Sequence, residues 1–124
     1  MKLNLQSLSD VFAQDPRVVF AVLFGSSQDG IVKSGSDVDI GVLLSPALDP
    51  RDFFQFYLET TERLPFIAEL DLVNLNHANS ILAFEALCGK RLFVRDAEAL
   101  ATFSSLTARQ YESDMLHAGI KHAA

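Results

Sequence analysis

The sequence predicts a single α/β domain in which helices pack against a small mixed sheet. Runs of β-branched and aromatic residues alternate with segments whose apolar residues recur at helical spacing. The chain has 124 residues, of which 49% are hydrophobic and 21% charged, and this composition excludes disorder over most of its length. It shows no internal repeat or low-complexity linker. We therefore treat residues 1–124 as one domain with one core.

The first half of the chain predicts one helix and two strands. Residues 17–24 (RVVFAVLF) are long enough for one buried strand, which ends at Gly25. Residues 26–36 are small and polar, as in a loop with one helical turn, and residues 37–44 (DVDIGVLL) predict the second strand. A first helix, limited by Pro16, is indicated by four apolar residues at helical spacing: Leu5, Leu8, Val11 and Phe12.

A second helix and a third strand follow. Asp49 has the features of an N-cap, with Pro50 at the first helical position, and Pro65 marks the end of this helix. The helix has more aromatic residues than one buried face requires, so its outer face is a candidate partner-binding surface. Residues 68–75 (AELDLVNL) predict the third strand.

The last part of the chain predicts two helices around a short strand. The first runs from about residue 80 to 88, and Cys88 has the spacing of a small core residue rather than a nucleophile. Residues 91–94 predict a short edge strand, and Asp96 opens a more polar helix that reaches about residue 118. Within this helix, residues 109–117 mix charges of both signs, as on a solvated face.

Charge and cysteine content exclude several classes of function. Sixteen acidic and ten basic residues give a net charge of -6, so we expect no direct binding to nucleic acid. A single cysteine excludes an internal disulfide framework and a cysteine-rich zinc site. No apolar run approaches a membrane span and the first residues turn polar too soon for a signal peptide, so we expect a cytoplasmic protein without membrane contact.

Two aspartates carry the main chemical signal. Asp37 and Asp39 are two residues apart on a predicted strand, so both side chains leave the same face while their neighbours enter the core. Carboxylates on one face suit hard cations. Two metal ions held about 4 Å apart support in-line displacement at phosphorus. The alternative is that both aspartates simply face solvent on a half-exposed sheet.

Two further features lie close to this pair in the predicted fold. Gly25 and Ser26 directly follow a buried strand, where glycine allows close approach of a phosphate. The Ser26 hydroxyl and the amides around Ser26 and Ser27 can donate to phosphate oxygens, although a plain turn would have the same residues. If the third strand neighbours the second, Asp71 can reach the same ions or accept a proton from an attacking hydroxyl, and Glu69 is a competing candidate.

Gly25-Ser26, ten intervening residues and Asp37-x-Asp39 together resemble the signature of nucleotidyltransferases of the DNA polymerase β superfamily. The short chain looks like the minimal nucleotidyltransferase (MNT) branch, which usually pairs with HEPN-domain proteins in toxin–antitoxin modules. The similarity runs from about residue 18 to residue 95.

The resemblance implies a polymerase β-like fold with a three-stranded core sheet and flanking helices. It implies that Asp37, Asp39 and Asp71 are catalytic and hold Mg²⁺, as two ions, and that Gly25 and Ser26 hold the phosphates of ATP or another nucleoside triphosphate. The reaction would transfer AMP or another nucleoside monophosphate to a hydroxyl, with release of pyrophosphate. In the MNT antitoxins the acceptor is a tyrosine of the HEPN toxin, so the resemblance implies a HEPN-domain toxin as partner and is compatible with a homo-oligomer or a hetero-oligomer.

One position departs from the family pattern. Family members commonly have arginine three residues after the serine, where this chain has Asp29. A carboxylate there would repel a triphosphate unless it faces solvent. Lys33 is the nearby cation, either as a compensating phosphate contact or as a solvated loop lysine. The departure keeps a second hypothesis open, in which the domain neutralises its partner by binding alone. A third, a small-molecule nucleotidyltransferase, is less favoured because no second domain is available for the acceptor.

Overall fold

The computed structural model describes residues 1–64 and 69–123. It contains four helices, four strands and one 3₁₀ turn at Gly25–Ser27 in that part of the chain. Every predicted helix and strand is confirmed, although the predicted helix end at Pro65 and strand start at Ala68 lie outside the described residues. In chain order the elements are α1 (Leu5–Ala13), β1 (Val18–Phe24), β2 (Val38–Leu44), α2 (Pro50–Arg63), β3 (Leu70–Asn74), α3 (Ser80–Leu87), β4 (Lys90–Val94) and α4 (Ala97–Ala123).

The strands form one mixed sheet in the order β3-β2-β1-β4. β1 is antiparallel to both β2 and β4, whereas β2 and β3 are parallel. Within the described residues the sheet has four strands, one more than the three-stranded core that the resemblance implies. The short edge strand predicted at residues 91–94 is confirmed as β4, which pairs with β1.

Helices cover both faces of the sheet, which explains why β1 is a continuous apolar run rather than an alternating one. Alternate residues of β1 enter two separate clusters. One cluster includes Ala21 and Leu23 together with residues of α1 and α2, and the other includes Phe20 and Val22 together with residues of α3 and α4. The second strand is oriented by the same packing. Its fully buried residues belong to the α1/α2 cluster: Val38, Ile40 and Val42.

This orientation places Asp39 on the side of the sheet that α3 and α4 cover, because successive side chains of a strand alternate between faces. Leu70 and Leu72 of β3 also belong to the α1/α2 cluster, so Asp71 shares a face with Asp39. The packing of the core therefore determines where the two carboxylates lie.

Side-chain caps start the helices where the sequence predicts them. The Asp49 carboxylate accepts the amide of Asp52 at 2.8 Å, with Pro50 at the first helical position. Asp96 accepts the amide of Ala99 at 3.0 Å before α4. A capping carboxylate satisfies an amide that the first helical turn leaves free.

Two charged side chains connect β4 and α1 to the start of β1. Arg95 donates to the carbonyl of Ala13 at 2.8 Å, to that of Asp15 at 3.1 Å and to that of Val18 at 2.9 Å. The carboxylate of Asp15 is buried and forms an ion pair with Arg17 at 2.7 Å. Hydrogen bonding to Arg17 lowers the pKa of Asp15 more than burial raises it.

Cys88 is exposed, so its predicted place in the core is wrong. The buried face of α3 ends earlier, because the helix stops at Leu87 and Cys88 is its C-cap. Gly89 follows against β1, where any side chain would overlap the carbonyl of Leu23. Among the described residues, no helix has both the length and the apolar character needed to cross a bilayer.

Candidate active site

The parallel pairing of β2 and β3 brings two of the predicted site residues together. Asp39 is the direct partner of Asp71 in the register of these strands. Asp39 is half-buried, whereas Asp71 is exposed at the edge strand. Asp71 was expected near the other carboxylates only if the third strand neighbours the second, and the pairing of β2 with β3 meets this condition.

Negative charge is concentrated around Asp39. Burial raises the pKa of this carboxyl, and the charge of Asp71 and a hydrogen bond with it raise the pKa further. The charges of Asp37 and Glu85 raise the pKa of Asp39 to a smaller extent. The pair is thus short of positive charge, which a cation would supply.

The carboxylates around Asp39 supply part of the oxygen ligands that a hard divalent cation requires. Among residues 1–64 and 69–118, no three histidine, cysteine or acidic side chains are close enough together to hold a metal ion as they stand. Asp39 and Asp71 form the core of the donor set, and Asp37 is exposed just before β2. The oxygens of these carboxylates fit Mg²⁺ by their chemistry. Asp37 would be the third ligand, and its side chain would have to move closer to Asp39 and Asp71 to bind the same ion.

A glycine is required where β1 turns toward these carboxylates. Gly25 has a φ of +73°, in the left-handed region that glycine adopts without strain. A Cβ atom at this position would overlap Oδ2 of Asp39. The Gly25–Ser27 turn therefore lies directly against the Asp39 carboxylate, as expected if phosphates bind between the turn and a metal held by that carboxylate.

The two serines of the turn have different surroundings. Ser26 is exposed, so its hydroxyl faces the surface beside the carboxylates. Ser27 is fully buried and its hydroxyl donates to the carbonyl of Asp37 at 3.0 Å. This bond joins the turn to the start of β2, and it confines the predicted phosphate contact of Ser27 to its backbone amide.

Neither charged residue of the loop is among the described residues that line the cleft at the Gly25–Ser27 turn. Asp29 is exposed, and its carboxylate accepts the amide of Ile31 at 3.0 Å. Lys33 lines a hollow of about 430 Å³ together with Asp37 and Glu69, not the cleft at the Gly25–Ser27 turn. Glu69 precedes β3 on the Asp37 side, whereas Asp71 is the residue paired with Asp39.

Sequence reasoning missed two aromatic residues at this site. Phe84 of α3 and Tyr111 of α4 stack with ring centroids 4.1 Å apart and planes 6° apart. Both line a cleft of about 730 Å³ that also includes Gly25 and Ser26. Residues 109–117 are mostly exposed as predicted, but Tyr111 is not part of a purely solvated face. The only sequence signal was a single aromatic residue in a polar segment.

Asp71 also lines an apolar groove of about 560 Å³. Its walls come from α2 and β3, and Phe54 in it is 59% exposed. The predicted apolar outer face of the Phe-rich helix is thus present next to the carboxylates.

Residues 6–98 match the family model described as polymerase beta, nucleotidyltransferase. The chain belongs to this nucleotidyltransferase family. The family resemblance and the polymerase β-like fold expected from Gly25-Ser26 and Asp37-x-Asp39 are thereby confirmed. No curated protein sequence matches this nucleotidyltransferase significantly.

Several solved structures of toxin–antitoxin proteins have the same fold. A mutant MntA–HpeT toxin–antitoxin is 25% identical over 98% of both chains, with a TM-score of 0.75. A toxin–antitoxin crystal structure with AMP-PNP is 23% identical over 98% of both chains, with a TM-score of 0.71. A chain from the structure of tri-AMPylated Shewanella oneidensis HEPN toxin in complex with MNT antitoxin is 21% identical to this chain. The match covers 97% of this chain and 98% of that chain, with a TM-score of 0.70.

Proposed function

We propose that this nucleotidyltransferase is an antitoxin that transfers AMP from ATP to a tyrosine hydroxyl of a HEPN-domain toxin, with Mg²⁺ as its metal. The observation that carries the proposal is the register that pairs Asp39 with Asp71, with the Gly25–Ser27 turn against Asp39. Similarity to structures that contain AMP-PNP and a tri-AMPylated HEPN toxin supports the choice of nucleotide and partner.

Each part of the site has a role in this reaction, and Asp71 has two. Asp37, Asp39 and Asp71 would hold Mg²⁺, which neutralises phosphate charge when bound. Ser26 and the amides of the turn donate to the phosphate oxygens. The acceptor hydroxyl gives its proton to the Asp71 carboxylate as its oxygen bonds to the α-phosphorus, and the bond to the β-phosphate oxygen breaks to release pyrophosphate.

The surroundings of Asp71 support an aromatic acceptor. Asp71 is exposed on edge strand β3 and is one of the residues that line the apolar groove between α2 and β3, so we place the side chain of the acceptor at this edge of the sheet. Aromatic side chains contribute large apolar surfaces together with a polar end, as a tyrosine acceptor requires. A partner segment with a tyrosine therefore fits the groove better than a small charged acceptor does.

The test is the intact mass of the co-purified partner after incubation of the complex with ATP and Mg²⁺. The parent protein should add one or more AMP groups, Asp39→Asn should add none, and Asp10→Asn on the exposed surface of α1 should behave like the parent. Equal AMP addition by Asp39→Asn would rule out the site.

Neutralisation by binding alone is the second candidate function. The carboxylate of Asp29 near the turn and the exposed apolar side chains of α2 favour it. This function predicts a tight complex that Asp39→Asn leaves intact and whose partner gains no mass with ATP in either protein.

A further inference from the structure

The cleft on the far side of the Gly25–Ser27 turn has the composition of a nucleobase site. It adjoins Gly25 and Ser26 and contains the stacked rings of Phe84 and Tyr111, both of which are partly exposed. Its volume of about 730 Å³ is in the range of small-molecule sites. We propose that these rings are the stacking platform for the base of the bound nucleotide, which deepens the proposed function and rests on it.

The position of the phosphates decides which hollow the base enters. Each of three hollows is lined by one residue of the proposed site: Gly25, Asp37 or Asp71. The described residues that line the hollow at Asp37 include no aromatic side chain, and the groove at Asp71 is the path proposed for the acceptor. With phosphates at the turn, the nucleoside therefore extends into the cleft at Gly25, where base–aromatic stacking is available.

The rest of the cleft supplies polar groups for a nucleoside. Gln28 and Glu85 line it and are exposed, so their side chains can hydrogen-bond to the edge of a base or to the ribose hydroxyls. Stacking tolerates any base, whereas these polar groups can discriminate among bases. The platform and the polar edge together form a complete nucleoside subsite.

Helix packing alone does not account for the exposed pair. Another aromatic pair, the buried Phe20 and the partly buried Phe103, already packs α4 against the sheet, with centroids 5.8 Å apart and planes tilted by 58°. A hydrogen bond from Ser80 to Asp114 at 2.5 Å also fastens α4 to the start of α3. Tyr111 lies less than one turn before Asp114, so these contacts hold its ring in place over the cleft.

The test compares two ligands that share their phosphates. Calorimetric titrations with ATP and with inorganic tripolyphosphate, both in Mg²⁺, separate base contacts from phosphate contacts. We expect Tyr111→Leu to weaken ATP binding by about tenfold or more and to leave tripolyphosphate binding unchanged. Tyr111→Phe keeps the ring and should bind ATP like the parent. Leu116→Ala, which removes an exposed apolar side chain from the same helix, is the control.

A second measurement needs no substitution in the cleft. The chain has two tyrosines, so Tyr57→Phe labelled with 3-fluorotyrosine reports on Tyr111 alone. Its ¹⁹F resonance should move with ATP and stay in place with tripolyphosphate.

Three results would overturn the inference. Unchanged ATP affinity in Tyr111→Leu would place the base elsewhere, while the proposed function would stand. Equal weakening of both ligands would show a disturbed turn rather than a lost base contact. Failure of the parent protein to bind either ligand would overturn the proposed function as well.

Discussion

Replacing Gly25 by alanine tests the close contact between the turn and the Asp39 carboxylate. Gly25 has a φ of +73°, and an L-residue in the left-handed region costs about 1–2 kcal/mol. The added methyl group would also overlap Oδ2 of Asp39, and overpacking of this kind costs about 1–3 kcal/mol more. We therefore expect Gly25→Ala to lower the free energy of unfolding by about 2–5 kcal/mol and to displace the carboxylate.

Gly35→Ala is the matched control in the same loop. Gly35 has a φ of +79°, and no atom lies within 4 Å of an added Cβ there. Both variants have the same conformational cost, so urea titrations should show Gly25→Ala to be less stable by the overlap alone, about 1–3 kcal/mol. Transfer of AMP should be lost in Gly25→Ala and retained in Gly35→Ala.

A double-mutant cycle identifies the carboxylate as the cause. In an Asp39→Ala background the overlapping oxygen is gone, so Gly25→Ala should cost no more than Gly35→Ala. The reasoning is refuted if the two glycine variants are equally stable in the parent protein, or if the difference persists without the Asp39 side chain.

Three further substitutions probe the ion pair, the connection to β4 and the loop. Arg17 keeps the pKa of Asp15 below 3.8, so Asp15→Asn should cost about 1 kcal/mol at neutral pH. This cost should shrink as the pH falls through the lowered pKa of Asp15, which urea titrations at neutral pH and at successively more acidic pH would show. Arg95→Met removes donors to three carbonyls and should lower the free energy of unfolding by about 1–3 kcal/mol. An unchanged free energy of unfolding would contradict the role of Arg95 in joining β4 to the start of β1. Asp29→Arg should tighten ATP binding, and unchanged affinity in calorimetry would exclude Asp29 from the nucleotide site.

Local patterns were sufficient to predict the helices and strands. The caps at Asp49 and Asp96 depend on one side chain and the next turn of backbone, and the run at residues 17–24 depends on its own hydrophobicity.

Contacts between distant segments could not be predicted in the same way. The parallel pairing that aligns Asp39 with Asp71 depends on how the core packs. From the sequence alone, the neighbouring position of the second and third strands could only be assumed. The stacking of Tyr111 on Phe84 depends on the angle between two helices. Cys88 was misplaced because helical spacing was extended by one residue beyond the actual end of α3.

The most direct test of the account compares the two carboxylates that compete for the third position of the site. Asp71 is paired with Asp39, whereas Glu69 lies before β3 on the Asp37 side. With ATP labelled at the α-phosphate, Asp71→Asn should reduce label transfer to the co-purified partner by about a hundredfold or more, and Glu69→Gln should transfer at the parent rate. Loss of transfer in Glu69→Gln with normal transfer in Asp71→Asn would contradict the site.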